Sequence, residues 1–166
     1  MGKQYVTGFL INFLLDQVVL IKKNRPEWQA GKFNGVGGKV ELTDASIGDA
    51  MAREFWEEAG ARQLEWTHYA TLHNIENDHI VHYFVAVDNK RDLKSVVSTK
   101  TDEEIQVCSL FSMVSHFYGS PDFSIFSTPN IPWLMAMASA FAPPRHLTRP
   151  EEVLKIEGWW KTGQKD

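Results

Sequence analysis

The sequence predicts a layered α/β (α+β) domain, and three observations carry that expectation. Strand-like segments stand before, between and after two helix-like segments. A loop rich in glycine separates the first strand pair from the first helix. Hydrophobic residues make up 43% of the 166 residues, with 10 Phe and 6 Trp to fill a core. In chain order, residues 5–13 are rich in β-branched and aromatic types and read as a strand. Residues 17–22 read as its partner, with Leu15-Asp16 in the turn. Residues 24–38 hold Pro26, Gly31, Gly35, Gly37 and Gly38 and read as a loop of special backbone geometry. A helix follows. Ser46 can cap it, Asp49 sits three residues on, Ile47, Met51 and Phe55 form an apolar stripe, and Gly60 can end it. Residues 64–73 and 79–87 read as strands around a turn at Glu76-Asn77-Asp78. Residues 93–97 read as a short strand and 105–113 as a longer one. Residues 119–132 carry three prolines and read as a loop. Residues 131–141 read as a helix with Pro132 in its first turn and Pro143-Pro144 beyond its end. The stretch 150–160 reads as a final helix or a packed tail. No repeat or low-complexity linker divides the chain, so 1–166 reads as one domain with a C-terminal tail over about 143–166.

The balance of charge narrows the partners. Seventeen Lys and Arg against 21 Asp and Glu leave a net charge of −4, which argues against nucleic acid polymers and anionic membranes. It leaves room for a small phosphorylated ligand, because a metal ion can supply positive charge. Residues 6–20 are interrupted by Asn12, Asp16 and Gln17 and are too short and polar to span a bilayer. Cys108 is the single cysteine, which fits a reducing compartment and a cytoplasmic location.

Chemistry concentrates on the first helix. Glu54, Glu57 and Glu58 stand at i, i+3 and i+4 and share a helical face. Clustered carboxylates repel unless neutralised, and hard divalent cations prefer oxygen ligands. Glu57 and Glu58 also lie toward the helix C-terminus, where the dipole disfavours negative charge, so helix stability does not explain them. Gly37-Gly38 lets the backbone come close enough for a carbonyl to join. A Glu-Glu pair alone is ordinarily a solvated face.

The full string says more. Gly38, Arg53, Glu54, Phe55, Glu57, Glu58, Gly60 and Ala61 fit a pattern of Gly, five residues, Glu, seven residues, then Arg-Glu-apolar-any-Glu-Glu-any-Gly-apolar. This stretch, about 38–61, resembles the Nudix box, and Asn34-Gly35-Val36-Gly37-Gly38 upstream is similar to the same family. One residue more than the usual box lies between Gly38 and Arg53. The box's first carboxylate, which in the family braces the arginine, therefore falls on Asp44 or on Asp49. Glu41, in Gly-Gly-Lys-Val-Glu, is common in the family with a varying role. The resemblance implies an α/β/α sandwich with a mixed sheet between helices. It also implies Mg²⁺- or Mn²⁺-dependent hydrolysis of a nucleoside diphosphate linked to another group. By motif, Glu57 and Glu58 are implied as metal ligands, Glu54 as ligand or base, the Gly38 carbonyl as a further ligand, and Arg53 as the residue that orients the glutamates.

Other segments would select the substrate. Residues 22–35 resemble the loop of the MutT-like, oxidised-purine triphosphatase branch, where Asn34 matches an asparagine that contacts a purine. It is equally a turn-forming Asn before Gly. Trp28 stacks on a base or covers the loop, and Lys23 and Lys39 are candidates for phosphate. In Thr101-Asp102-Glu103-Glu104, Glu104 is the first choice for the extra metal-binding or base carboxylate of related enzymes, and Glu103 the second. Asn130 is a base-pairing candidate and also a good helix cap. His79 and His82 point to opposite faces of a strand and do not chelate. Cys108 reads as a buried small residue, Trp159-Trp160 as a seal on a core or interface, and Met135 and Met137 as packing on the sheet. The expected substrate is a nucleoside triphosphate such as 8-oxo-dGTP, cleaved to the monophosphate and pyrophosphate. The alternatives are ADP-ribose, a nucleotide sugar, a dinucleoside polyphosphate, or a silent nucleotide-sensing module. By family analogy a homodimer is the expected assembly.

Overall fold

In the computed structural model, residues 2–115, 130–142 and 154–158 are described, the last group through its backbone only. The strands are β1 (Gln4–Asn12), β2 (Gln17–Lys22), β3 (Phe33–Asn34), β4 (Thr67–Asn74), β5 (His79–Val87), β6 (Glu104–Ser109) and β7 (Leu154–Gly158). The helices are α1 (Ile47–Ala59), α2 (Leu93–Val96), α3 (Leu110–Ser115) and α4 (Ile131–Phe141), with one 3₁₀ turn at Glu27–Gln29. The strands form a seven-stranded sheet in the order β3-β2-β1-β5-β4-β7, and β6 pairs with β2. The pairs β1–β5 and β4–β7 are parallel and the others antiparallel, so the sheet is mixed.

Alternation along the strands divides the core into two layers. Phe9 and Ile11 of β1 and Val18 and Leu20 of β2 pack with Tyr69, Tyr83, Ile131, Leu134 and Met135 on the α4 side. Val6, Leu10, Val19 and Ile21 pack with Met51, Phe55, Ala59, Phe84 and Leu93 on the α1 side. The sheet between two helical layers is the sandwich expected from the sequence.

Helix α1 forms where its signals lie. Ser46 Oγ accepts from the Asp49 N–H at 3.1 Å, and Gly60 ends the helix at φ 71°. Met51 and Phe55 are fully buried, each stabilising the fold by roughly 1.5–3 kcal/mol.

Four readings change. Residues 93–96 form a helical turn, not a strand, because the Asp92 side chain accepts from Lys94 N–H at 3.0 Å and nucleates it. The strand expected over 105–113 stops at Ser109. There Asp16 accepts from the Ser109 hydroxyl at 2.5 Å and from Phe111 N–H at 2.7 Å, turning the chain into α3. β4 begins at Thr67, since Leu64 and Trp66 pack against the α1-side core instead. Within the stretch read as a final helix or a packed tail, residues 154–158 form a strand parallel to β4, not a helix. The expected loop over 119–129, Pro143-Pro144 and Trp159-Trp160 lie outside the described residues.

Candidate active site

The site is built where the segment 36–40 crosses β1. Val6 N–H donates to Gly38 O at 2.9 Å, Gly8 N–H to Val36 O at 2.7 Å, and Val40 N–H to Gln4 O at 2.9 Å. Gly37 sits at φ 154°, and a Cβ there would lie 2.1 Å from Val6 O, so only glycine fits. At Gly38 a Cβ would lie 2.5 Å from Glu54 Oε2. The missing side chain at Gly37 lets this segment lie against β1, and the one at Gly38 makes room for a carboxylate of α1. Glu54 packs on Gly38, and Glu58 Oε2 accepts from Gly37 N–H at 3.1 Å.

Arg53 braces this face. Its Nε and Nη2 donate to both oxygens of Asp44 at 2.8 and 2.9 Å, and Nη2 also donates to Lys39 O at 3.0 Å. Its Nη1 donates to Glu54 Oε1 at 2.9 Å and to Glu57 Oε2 at 3.1 Å. The bracing contact thus falls on Asp44. Asp49 instead bonds to Ser46 at the helix start, at 2.7 Å. The hydrogen bonds from Arg53 hold the Asp44 carboxyl below its usual range. Burial pushes Glu54 up, and it pushes Glu58 up to about 7 against the opposing charge of Lys23.

Strand register supplies a further carboxylate. Ile21 of β2 pairs with Ile105 of β6, and both face α1. Two residues beyond each, Lys23 and Glu103 share that face, and they form an ion pair. Glu103 is buried, and its Oε1 accepts from Asn24 N–H at 2.8 Å. Glu104 pairs across the ladder with Lys22, is exposed and alternates to the other face. The structure therefore brings Glu103, the second choice from sequence, into the cluster and leaves Glu104 out. The alternation of Ile105 and Val107 was the signal that distinguishes them. Ser98 N–H donates to Ala59 O at 2.9 Å and Lys100 N–H to Glu58 O at 3.0 Å, tying the approach to Glu103 onto the end of α1.

The remaining candidates are more dispersed. Lys39 is half exposed and lies 3.6 Å from Glu41 at the rim. Asn34 Oδ1 accepts from Gly35 N–H at 2.8 Å, so its carboxamide shapes its own turn. Asn130 makes no side-chain cap on α4, and its Nδ2 lies 3.5 Å from the Tyr83 hydroxyl on the α4 side of the sheet. Trp28 is exposed on the 3₁₀ turn. His82 bonds to Thr71 and Gln4 while His79 packs edge-on to Tyr5, so the two do not meet. Burial raises the Cys108 thiol, which suits packing rather than attack.

Among the described residues no group of three His, Cys, Asp or Glu side chains is gathered tightly enough to hold a metal as placed. The carboxylates are already partnered, Glu54 and Glu57 by Arg53, Glu103 by Lys23 and Glu58 by Gly37 N–H. The donor set nevertheless fits a hard divalent cation. It is all oxygen, two members are crowded and half-buried, and each is penalised by burial in its charged form. Gly38 O keeps a second lone pair after accepting from Val6.

No curated protein matches this chain. Among solved structures, it is similar to a MutT/nudix family protein from Enterococcus faecalis, with TM-score 0.54 and 16% identity over 64% of this chain. It spans only 43% of that protein's length. A MutT protein from Bacillus halodurans gives TM-score 0.59 and 15% identity over 95% of this chain and 90% of that one. The NUDIX domain of Shewanella oneidensis NrtR, solved with ADP ribose, gives TM-score 0.62 and 13% identity over 84% and 88%. The family model described as NUDIX domain matches residues 4–133, most of the sequence and the whole of the site just described, and the chain belongs to the Nudix family.

Proposed function

We propose that this chain hydrolyses a nucleoside triphosphate to the monophosphate and pyrophosphate with Mg²⁺ or Mn²⁺, and that an oxidised purine such as 8-oxo-dGTP is its substrate. The observation that supports it is the pair of half-buried carboxylates, Glu54 and Glu58, set against the Gly37-Gly38 backbone. Glu57, Glu58 and the Gly38 carbonyl would hold the cation. When bound, it neutralises phosphate charge and acidifies the attacking water. Glu54 would be the base for the attacking water. Burial raises its affinity for a proton, Arg53 fixes Oε1, and the carboxylate as a whole lies against Gly38. Arg53, itself locked by Asp44, keeps Glu54 and Glu57 in register. Lys39 and Lys23 are the cations for phosphate, and the carboxamides of Asn34 and Asn130 are the groups suited to reading a base edge.

A reducing, cytoplasmic setting and a homodimer complete the proposal. The single cysteine supports the first, and sedimentation would test the second. Among the described residues no helix is long and apolar enough to cross a membrane.

The test is product analysis by chromatography and mass spectrometry. The panel holds canonical and oxidised triphosphates, ADP-ribose, nucleotide sugars and dinucleoside polyphosphates, each with Mg²⁺. Monophosphate plus pyrophosphate from a triphosphate is the expected result, reduced about a hundredfold or more in Glu57→Gln with the fold intact. Cleavage confined to ADP-ribose or another diphosphate derivative would replace the substrate. No turnover with either metal would point to a silent module.

A further inference from the structure

We propose that Lys23 is the built-in counter-ion of the Glu58–Glu103 half of the site, and that a divalent cation loads there by displacing its ammonium group. This rests on the metal-dependent reading above. The two halves of the cluster are neutralised in different ways. Glu54 and Glu57 meet Arg53, whose guanidinium is fixed from behind by both oxygens of Asp44 and by Lys39 O. That cation is a fixed brace. Among the described residues Lys23 is the one cation paired with Glu103, and the Lys23 side chain bonds to nothing else. A lysine ammonium is a mobile point charge on a flexible stem, unlike the planar fork of arginine.

Three further features make the exchange physically simple. The side chains are shielded, 17% exposed for Lys23 and 7% for Glu103, so the pair is not a surface contact that water already weakens. The Lys23 backbone is pinned on both sides, N–H to Lys32 O at 2.9 Å and C=O from Gly31 N–H at 2.8 Å, so the side chain moves alone. Glu103 stays in place when Lys23 leaves, because Asn24 N–H holds Oε1 and only Oε2 is released. The Lys23 charge also favours the ionised form of Glu58, the other carboxylate of this half. Removing one positive charge therefore leaves Glu103, and the acidic cluster it joins, short of counter-charge, which a divalent cation supplies. The displaced ammonium stays on the α1 face, available to a phosphate oxygen.

The experiment is calorimetric titration of the full chain with Mn²⁺ alone, without nucleotide. Wild type is compared with Lys23→Gln, which keeps a donor for Glu103 but removes the charge, with Lys23→Met and with Lys23→Arg. Melting temperatures are taken with and without Mn²⁺. Lys23→Gln and Lys23→Met should bind Mn²⁺ about tenfold more tightly or better, since a close like charge has been removed. Both should melt lower than wild type without metal and recover more of that loss when Mn²⁺ is added. Lys23→Arg should stay within about threefold of wild type. In a Glu103→Gln background the gain from Lys23→Gln should vanish. Equal or weaker Mn²⁺ binding in the charge-removed variants, with normal binding and hydrolysis in wild type, overturns the role of Lys23 and leaves the hydrolase reading standing. Absence of Mn²⁺ binding in wild type and variants alike overturns both.

Discussion

Arg53 shows how a single side chain organises the site. It is one residue from Glu54 and one helical turn from Glu57, and it spends its remaining donors on Asp44 and Lys39 O. Asp44→Asn would leave the guanidinium with a neutral partner behind it. Charge-assisted hydrogen bonds of this kind stabilise by about 1.5–3 kcal/mol, so chemical denaturation should register a loss of that size. A partner that orients a ligating carboxylate typically matters about 10–100-fold, and the expected effect is on kcat with KM nearly unchanged. An unchanged kcat would remove Asp44 from the bracing role. Glu103 teaches the complementary point. Glu103 and Glu104 are chemically identical neighbours, and only the strand parity that sets one against Lys23 separates them.

At the scale of elements, α1 carries the chemistry because its two ends are secured differently. Its start depends on its own sequence, Ser46 Oγ to Asp49 N–H. Its end depends on Gly60 and on the strap at residues 98–100, which satisfies the carbonyls of Glu58 and Ala59. Ser46→Ala should cost about 1 kcal/mol in thermal or denaturant unfolding while leaving kcat/KM within about twofold, because the cap is remote from Glu54 and Glu58. A large loss of activity without loss of stability would contradict that separation. The helical turn at 93–96 and the end of β6 at Ser109 have the same origin. Residues 93–96 are a buried leucine's helical turn, and residues 105–113 are divided at the site where Asp16 receives the chain. Both outcomes also depend on distant partners: the Gln17 carboxamide donates to Asp92 and accepts from Leu93 N–H, and Asp16 accepts from Ser109 and Phe111.

Across the whole molecule, β1, β4 and β5 are joined by a polar chain on one sheet face. His82 Nε2 lies 3.0 Å from Gln4 Oε1, its Nδ1 lies 3.2 Å from Thr71 Oγ1, and His68 Nε2 lies 3.0 Å from the same hydroxyl. Neutral rings satisfy this chain, with Gln4 accepting from His82 and the Thr71 hydroxyl donating to it. Burial lowers the His82 pKa to about 4 from an ordinary 6.5, and it lowers His68 in the same direction. The unfolded chain then takes up the His82 proton first as pH falls. Its contribution is complete above pH 6.5 and declines between 6.5 and 4, by about 2 kcal/mol after allowance for partial exposure. Glu58, raised to about 7, binds its proton earlier in the folded state and acts in the opposite direction over part of that range. The measurement is therefore the difference in unfolding free energy between wild type and His82→Gln across pH 4 to 7. Wild type should lose stability relative to the variant as pH falls, and parallel curves would reject the assignment.

Much of the protein is legible in the sequence alone. The capped helix α1, its buried stripe, the carboxylates on its outer face and the glycines facing them depend on residues close in sequence. Local spacing was enough to read them, together with the resemblance to the Nudix box and its fold. Contacts between distant segments were not legible in the same way. The sheet order, the parallel pairing of β7 with β4, the choice of Asp44 over Asp49 and the meeting of Lys23 with Glu103 all require the chain to close on itself. Backbone hydrogen bonding in a sheet is indifferent to side-chain identity, so strand order follows from which faces the whole core must bury. Ion pairs between residues 80 apart, as in Lys23 and Glu103, exist only once that burial has set the register.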